Sequence, residues 1–466
     1  MDFRINEIQI DVDNYQTDRI KLVNHSNDKR PNHFSLIIGN NGTGKSRLLG
    51  NIARVLNKRF QKSSNELFDF SLFEISKEPS KIIAVSNSLS DKFPIDRSFR
   101  SRHDEDFSYN KERYNYLGTR GGMGSSSKYL MRRAIDILLE NYSNKNVSKC
   151  YRHVFDYLDY SPVIKLEYRI RHAEIVHSNE LITPEHLRDY LHRKSSYSVF
   201  DSKYYSRIEN HYKTKFQDIC DFLNKLRQEQ IRTYELTINF SSNNIERIDK
   251  DDSSYKEDLR LYEILNALRK LNMITGFEVK LFKKDNQGFS FSDASSGESN
   301  ILTTLIALVP LVEDRCCVLI DEPEISLHPS WQYRYLELLN KIFENFDGCH
   351  IIIASHSHFI VSDLPKDNSS VVTLKRNEKL IKSNLLLDST FGCSAEDILL
   401  NVFEMPTTRN YYISNLVTES LELLGKNQKT SSRFKELKLK LQDVFPNIKD
   451  EDPLKLVIST ILKVHI

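Results

Sequence analysis

The chain has 466 residues, enough for two or three domains around a sizeable core. Its 66 Lys and Arg against 64 Asp and Glu leave a net charge of +2, so no chain-wide field for a polyanion exists and any basic patch is local. No apolar run reaches the length of a membrane span, the opening MDFRINEIQID lacks a signal-peptide layout, and six cysteines (Cys150, Cys220, Cys316, Cys317, Cys349, Cys393) show no ligand spacing; the expectation is a cytoplasmic chain with no membrane partner.

FRINEIQIDV and DRIKLV read as short strands divided by polar turns. Phe34 to Ile38 is an apolar run that reads as a buried strand, and Gly39 to Ser46, GNNGTGKS, then fits G-x-x-x-x-G-K-[ST]. Glycines at 39, 42 and 44 let the backbone turn its N–H groups toward an anion. Lys45 can reach β- and γ-phosphates, and Ser46 can offer its hydroxyl to Mg²⁺. Leu48, Leu49, Ile52, Val55 and Leu56 recur at helical spacing, which aims a helix N-terminus at the phosphates. The expected triphosphate-binding set is Gly39, Asn40, Asn41, Gly42, Thr43, Gly44, Lys45, Ser46 and Arg47, with ATP and Mg²⁺ as ligands.

Residues 57–80 are polar and mixed, and Lys81 to Val85 is a second buried strand with the polar tip Ser86-Asn87-Ser88. Residues 91–128 are rich in Arg, Ser, Gly and Tyr and read as a long loop. Either it is a plain surface loop, or Arg97, Arg100, Arg102, Arg113 and Arg120 form a phosphate- or partner-binding patch, diluted by Asp104, Glu105 and Asp106. Residues 129–275 read as a mostly helical insertion: YLMRRAIDILLENY, KTKFQDICDFLNKLRQEQ and YKEDLRLYEILNALRKLN have helical periodicity, and SPVIKLEYRIR alternates like a strand.

Beyond residue 276 strands and helices alternate. GFEVKLFKK and GFSFS read as strands, Ile301 to Val312 as a helix, CCVLI as a buried strand, Trp331 to Phe343 as a helix, and HIIIA as another buried strand. Strands alternating with helices predict a mostly parallel α/β sheet. The expected layout is an ATPase lobe at 1–90, the loop and insertion at 91–275, a second ATPase lobe at 276–384 and a helical tail at 385–466. In the tail, EDILLNVFE, NYYISNLVTESLELLG and DPLKLVISTILKV read as helices.

Three further motifs carry chemistry. The strand ending in Asp321-Glu322 can hold Mg²⁺ through Asp321 and take a proton from attacking water through Glu322. ASSGES at 294–299 follows a strand and opens a helix, so Ser295, Ser296, Gly297 and Glu298 sit where a helix N-terminus meets anions; a serine there also suits any helix start. The strand IIIAS ends at His356, an imidazole at the same sheet end. His328 and His358 read as structural.

GNNGTGKS, SSGES, VLIDEPEISLHP and ASHSH stand in the order of the ABC ATPases. The S-L-H-P wording and the split domain resemble the branch holding the overcoming-lysogenization-defect nucleases, RecF and SMC-like ATPases, and most resemble the PtuA ATPases of Septu anti-phage defence. The resemblance implies an α/β, ABC-type P-loop NTPase domain split by a helical insertion. It implies a homodimer, or a higher even-numbered assembly, in which Ser295, Ser296, Gly297 and Glu298 of one copy complete the other copy's nucleotide site. It implies Glu322 as base, His356 on the γ-phosphate, and Asn87 or Ser88 standing in for the metal-bridging glutamine of the family. It also implies a separate nuclease subunit, HNH-type, through which nucleic acid is reached. The tail has Asp450-Glu451-Asp452 only in a polar turn, so a nuclease centre is not expected within this chain. Rival expectations are a DNA-binding repair ATPase of RecF or SMC kind, a transporter's nucleotide-binding subunit, and a nucleotide-gated scaffold with little turnover.

Overall fold

Alternating apolar and helical patterns become elements in the following order. β1 Ile5–Val12, β2 Tyr15–Thr17 and β3 Ile20–Lys21 precede β4 His33–Gly39 and α1 Lys45–Phe60. β5 Phe70–Ile75, β6 Ile82–Ser86, β7 Tyr114–Gly118, α2 Ser127–Glu140, α3 Lys145–Tyr157 and β8 Tyr160–Arg169 follow. Next come α4 Pro184–Ser195, α5 Val199–Tyr212, α6 Phe216–Gln228, β9 Thr233–Asn239, α7 Tyr255–Lys270, β10 Glu278–Lys283 and β11 Gly288–Ser290. α8 Ser296–Leu308, β12 Cys317–Asp321, α9 Pro329–Phe343, β13 His350–Ser355, α10 His358–Ser362, β14 Ser369–Asn377 and β15 Leu380–Leu386 complete the first of two units, residues 1–392. The computed structural model describes residues 2–12, 15–24, 31–60, 70–95, 113–120, 127–140, 145–170, 180–195, 199–240, 255–271, 273–274, 277–378, 380–386, 390, 392–403, 409–450 and 452–464.

The larger sheet runs β3-β1-β2-β15-β14-β4-β13-β12-β6-β7, with β5 also paired to β1. From β14 to β7 all neighbours are parallel. β12 and β13 are buried along their whole length, as continuous apolar runs covered on both faces require. The register sets Ser86 beside Asp321, Asp321 beside Ala354, and Ser355 beside Ile38. Four carboxyl-terminal strand ends therefore meet at one edge, the place where open α/β sheets bind ligands. Leu48, Leu49, Ile52, Ala53 and Leu56 of α1 share a core with Ile37, Ala84, Leu319 and Ile352. Each fully buried Leu or Ile there contributes about 1.5–3 kcal/mol, which fixes the helix that starts at Lys45 against the strands that end in acids. The fold is thus a mixed α/β P-loop NTPase fold.

The strands GFEVKLFKK and GFSFS form, but in a second sheet. β10 and β11, expected in the alternating half, pair antiparallel with β8 and each other in the order β11-β10-β8-β9. β10 alternates between buried and half-buried positions, the pattern of a sheet with one open face. Two further strands stand in segments read as loop or polar: β5, and β7 within 91–128. β7 buries Asn115, Tyr116 and Leu117 beside β6. Arg97, Arg100, Arg102, Asp104, Glu105 and Asp106 lie outside the described residues. The other two arginines of that patch are engaged within the fold: the Arg113 guanidinium lies over the Phe60 ring at 5.1 Å, and Arg120 pairs with buried Asp91 at 2.6 Å.

The second unit, residues 393–466, is helical: α11 Ala395–Asn401, α12 Tyr411–Gly425, α13 Ser432–Val444 and α14 Pro453–Lys463. Leu416, Phe434, Leu437, Leu441, Ile458 and Ile461 form its core. Asp452 caps α14 by accepting from the Leu454 N–H, and Arg409 donates to both its oxygens at 2.7 Å. No described helix is long and apolar enough to cross a membrane. The six cysteines form no disulfide, and all but Cys393 are buried, as small hydrophobes are.

Candidate nucleotide-binding site

The loop between β4 and α1 is closed by its own backbone chemistry. Gly42 and Gly44 take φ of +82° and +87°, left-handed values that favour glycine. A Cβ on Gly44 would also fall 2.2 Å from the Tyr15 ring, whose hydroxyl donates to the Gly44 carbonyl at 2.9 Å. Gly39 has no such φ. The Thr43 hydroxyl donates to the Asn40 carbonyl at 2.8 Å and tightens the turn. Lys45 Nζ donates to the Gly39 carbonyl at 2.8 Å and to His356 Nε2 at 2.7 Å. Ser46 Oγ donates to Asp321 Oδ1 at 3.0 Å. An open pocket of about 1190 Å³ is lined by Asn41, Gly42, Lys45, Ser46, Arg47, Glu322 and His356. Residues separated by 311 positions thus face one space.

Charge is balanced tightly here. Asp321 is 1% exposed, and its Oδ2 is buried with no hydrogen-bond partner. Burial pushes its carboxyl up to about 7, against the pull of the Ser46 hydroxyl. An orphaned carboxylate oxygen beside a serine hydroxyl fits the hard-oxygen ligation of Mg²⁺, so Asp321 and Ser46 are the residues that would hold it. When bound, the ion would neutralise phosphate charge. Burial lowers the Lys45 ammonium to about 8, while Glu322, Glu324 and Asp321 oppose that shift. Burial and the nearby Lys45 charge hold His356 down to about 4. Glu322 has φ of +50° and places Oε1 3.7 Å from His356 Nε2. A non-glycine residue kept in the left-handed region stores strain, and such positions cluster at functional sites.

Sequence reading passed over several residues at the site. Glu324 accepts from the Ser355 hydroxyl at 3.0 Å and from the His356 N–H. It ties the turn after β12 to the end of β13, and burial raises its carboxyl. Its signal was present as the third acid of Asp321-Glu322-Pro323-Glu324. Tyr15, Lys92 and Arg376 also line the pocket; nothing local marks them, because only the sheet order brings them near.

The ASSGES segment forms a helix start. Ser295 is the N-cap of α8, in a reciprocal capping box with Glu298. The Glu298 carboxylate accepts from the Ser295 N–H at 2.8 Å and from the Tyr160 hydroxyl. A Cβ on Gly297 would sit 2.3 Å from the Ser326 carbonyl oxygen, so this glycine admits a close backbone crossing inside its own chain. Ser295 and Ser296 are exposed and do not line the Lys45 pocket. Asn87 is not brought to that pocket either. Its Oδ1 accepts from the Thr304 hydroxyl at 3.3 Å, and it lines a separate cavity of about 400 Å³ with Ser86 and Thr119. His328 is the N-cap of α9, and His358 opens α10.

A glycine loop at a strand–helix junction, facing a buried aspartate and a histidine from the neighbouring strand ends, defines an AAA-type ATPase domain. The chain belongs to the family described as "AAA domain, putative AbiEii toxin, Type IV TA system", which matches residues 34–362. Protein ea59 of Escherichia phage lambda is 30% identical over 129 residues, 28% of this chain and 24% of that one. The Retron Vc95 probable ATPase of Vibrio cholerae serotype O1 biovar El Tor is 26% identical over 170 residues, 33% of this chain and 32% of that one. The chain thus matches about a quarter and a third of the lengths of these curated relatives. Among solved structures, the Smc head domain with an extended coiled coil from Pyrococcus furiosus aligns at 12% identity and a TM-score of 0.31, over 82% of this chain and 96% of that one.

Proposed function

We propose that the chain hydrolyses ATP as a head-to-tail pair, or a higher even-numbered assembly, and that its nucleotide state controls a separate effector nuclease, HNH-type, in anti-phage defence. The observation that carries the reading is the meeting of Lys45, Ser46, Asp321, Glu322 and His356 at one pocket. In it, Lys45 and the loop N–H groups would hold the phosphates, and Ser46 and Asp321 would hold Mg²⁺. Glu322 accepts the proton of the attacking water as the bond from the water's oxygen to the γ-phosphorus forms and the bond from that phosphorus to the β–γ bridging oxygen breaks, ADP leaving with the bridging oxygen. His356 contacts the γ-phosphate. Ser295 and Ser296 are exposed and lie outside their own chain's pocket, which supports their presentation by a second copy. The likeness to a protein named as a retron's probable ATPase supports the defence setting.

Two experiments test the reading separately. Lys45→Ala removes the phosphate contact of one site, and Ser296→Glu puts a negative charge at the helix N-terminus offered to the other site. Each variant alone should be inactive, and mixing them should restore part of the turnover, because one site of each mixed pair is intact. No restoration would end the paired-site reading. Purifying the tagged chain from its native operon should bring a nuclease with it; if none co-elutes, the effector reading falls while the ATPase reading stands.

A further inference from the structure

We propose that a second cleft, between α2 and the β8–β10 face of the smaller sheet, binds an organic anion: a carboxylate, sulfonate or phosphate carried on a flat apolar body. The cleft is open, of about 700 Å³, and shares no lining residue with the Lys45 pocket. Its apolar wall is Met131, Phe277 and Phe291, at 1%, 3% and 3% exposure.

Its charges do not cancel. Glu167 is taken by Lys280 at 2.6 Å and Arg169 at 3.3 Å. Glu278 accepts from the Ser290 hydroxyl at 2.7 Å and lies 3.6 Å from Arg169. Lys128 and Arg132 line the same cleft, and no carboxylate pairs with either among the described residues. Arg132 Nε is buried with no hydrogen-bond partner. Asp136, one turn further along α2, pulls on Arg132 less than the like charge of Arg269 pushes against it. The two Asp136 oxygens are occupied by the Tyr262 hydroxyl and by Arg269, each at 2.8 Å. Arg269 itself adds a like charge beside Arg132. The Tyr168 hydroxyl is also buried without a hydrogen-bond partner, and its ring meets Phe277 edge-on at 5.3 Å.

A half-buried guanidinium whose Nε lacks a hydrogen-bond partner is costly, and a planar oxyanion is the ligand that matches its fork of donors. The aromatic wall beside it would take the apolar body of the same molecule. Phe291 and Ser292 form one side of the cleft and lead through Asp293 and Ala294 to Ser295. An occupant would therefore touch the segment that carries the serines offered to a second copy.

The test uses the full chain and anilinonaphthalene sulfonate, an aromatic sulfonate whose fluorescence reports binding. One saturable site is expected, unchanged in Lys45→Ala. Arg132→Met should weaken it by about tenfold or more, the loss of one charge-assisted contact. Lys128→Met, at an exposed position that leaves folding unaffected, should weaken it by less and only at low salt. Arg132→Met should melt no earlier than the wild type, because it removes an unpaired charge. Wild-type affinity in both cleft variants would overturn the proposal, as would a marked fall in the melting temperature of Arg132→Met. Loss of dye binding in Lys45→Ala would also overturn it by assigning the dye to the nucleotide pocket.

Discussion

The Lys45 ammonium donates to Nε2 of His356 across 2.7 Å, linking the first residue of α1 to the first residue beyond β13. An ammonium has donors only, so Nε2 carries no proton and the ring proton sits on Nδ1. The imidazole is neutral. Its folded value is depressed from 6.5 to about 4 by burial, with the Lys45 charge adding to the shift. As pH falls through that window, the unfolded chain takes up a proton that the folded chain refuses. Stability linked to His356 is therefore full above pH 6.5 and is lost progressively toward pH 4. Histidine-labelled NMR, assigned with His356→Gln, should show an Nδ1–H tautomer titrating near pH 4 in the nucleotide-free chain. A midpoint near 6.5 would contradict the contact.

Glu322→Gln should keep ATP binding and lose turnover. A general base supplies about 10²–10⁴-fold, so phosphate release should fall by at least the lower figure while equilibrium binding of ATP stays near wild type. Turnover close to wild type would remove Glu322 from the role of base.

Glu324 holds the end of β13 through the Ser355 hydroxyl and the His356 N–H. Glu324→Ala leaves both donors without their acceptor, at a cost of about 1–3 kcal/mol in urea denaturation. Because the residue positions His356 and does not line the phosphate pocket, kcat should fall more than KM changes. Glu324→Gln keeps one carbonyl oxygen and should recover part of the loss. Equal kcat in all three proteins would leave Glu324 as a purely structural link.

Gly44→Ala combines an unfavourable φ with a Cβ 2.2 Å from the Tyr15 ring. Either the loop or β2 must move. Strain of this kind costs about 1–3 kcal/mol, and ATP affinity should fall with it, measured by calorimetry on the folded variant. Pairing the change with Tyr15→Ala should relieve the steric part and leave the backbone part.

Much of the site was legible because apolar strands stop abruptly at polar residues. Gly39, Asp321 and His356 each end or follow such a run, and a parallel sheet brings such ends together. What local pattern could not show was which strand lies beside which. Tyr15 and Arg376 reach the pocket only because β2, β15 and β14 extend the sheet beyond β4. β7 escaped notice because Tyr114–Gly118 is short and polar at Asn115, yet it completes the parallel edge. Asn87 was expected at the metal from its position after a core strand, but its amide faces Thr304. Glu324 was legible as an acid and not as a clamp, since its partners lie on another strand.

β13 is laced to β4 along its whole length and to β12 as far as Ala354. A strand stitched at both edges cannot glide without tearing two ladders at once. His356 stands one residue past the last stitch, before the short helix that begins at His358. The histidine can therefore swivel but not travel. If His356 reads the γ-phosphate as proposed, one way onward is the bend at Ser357, whose amide leans on the Ser355 hydroxyl at 3.0 Å and whose own hydroxyl reaches Gln332 of α9 at 2.7 Å.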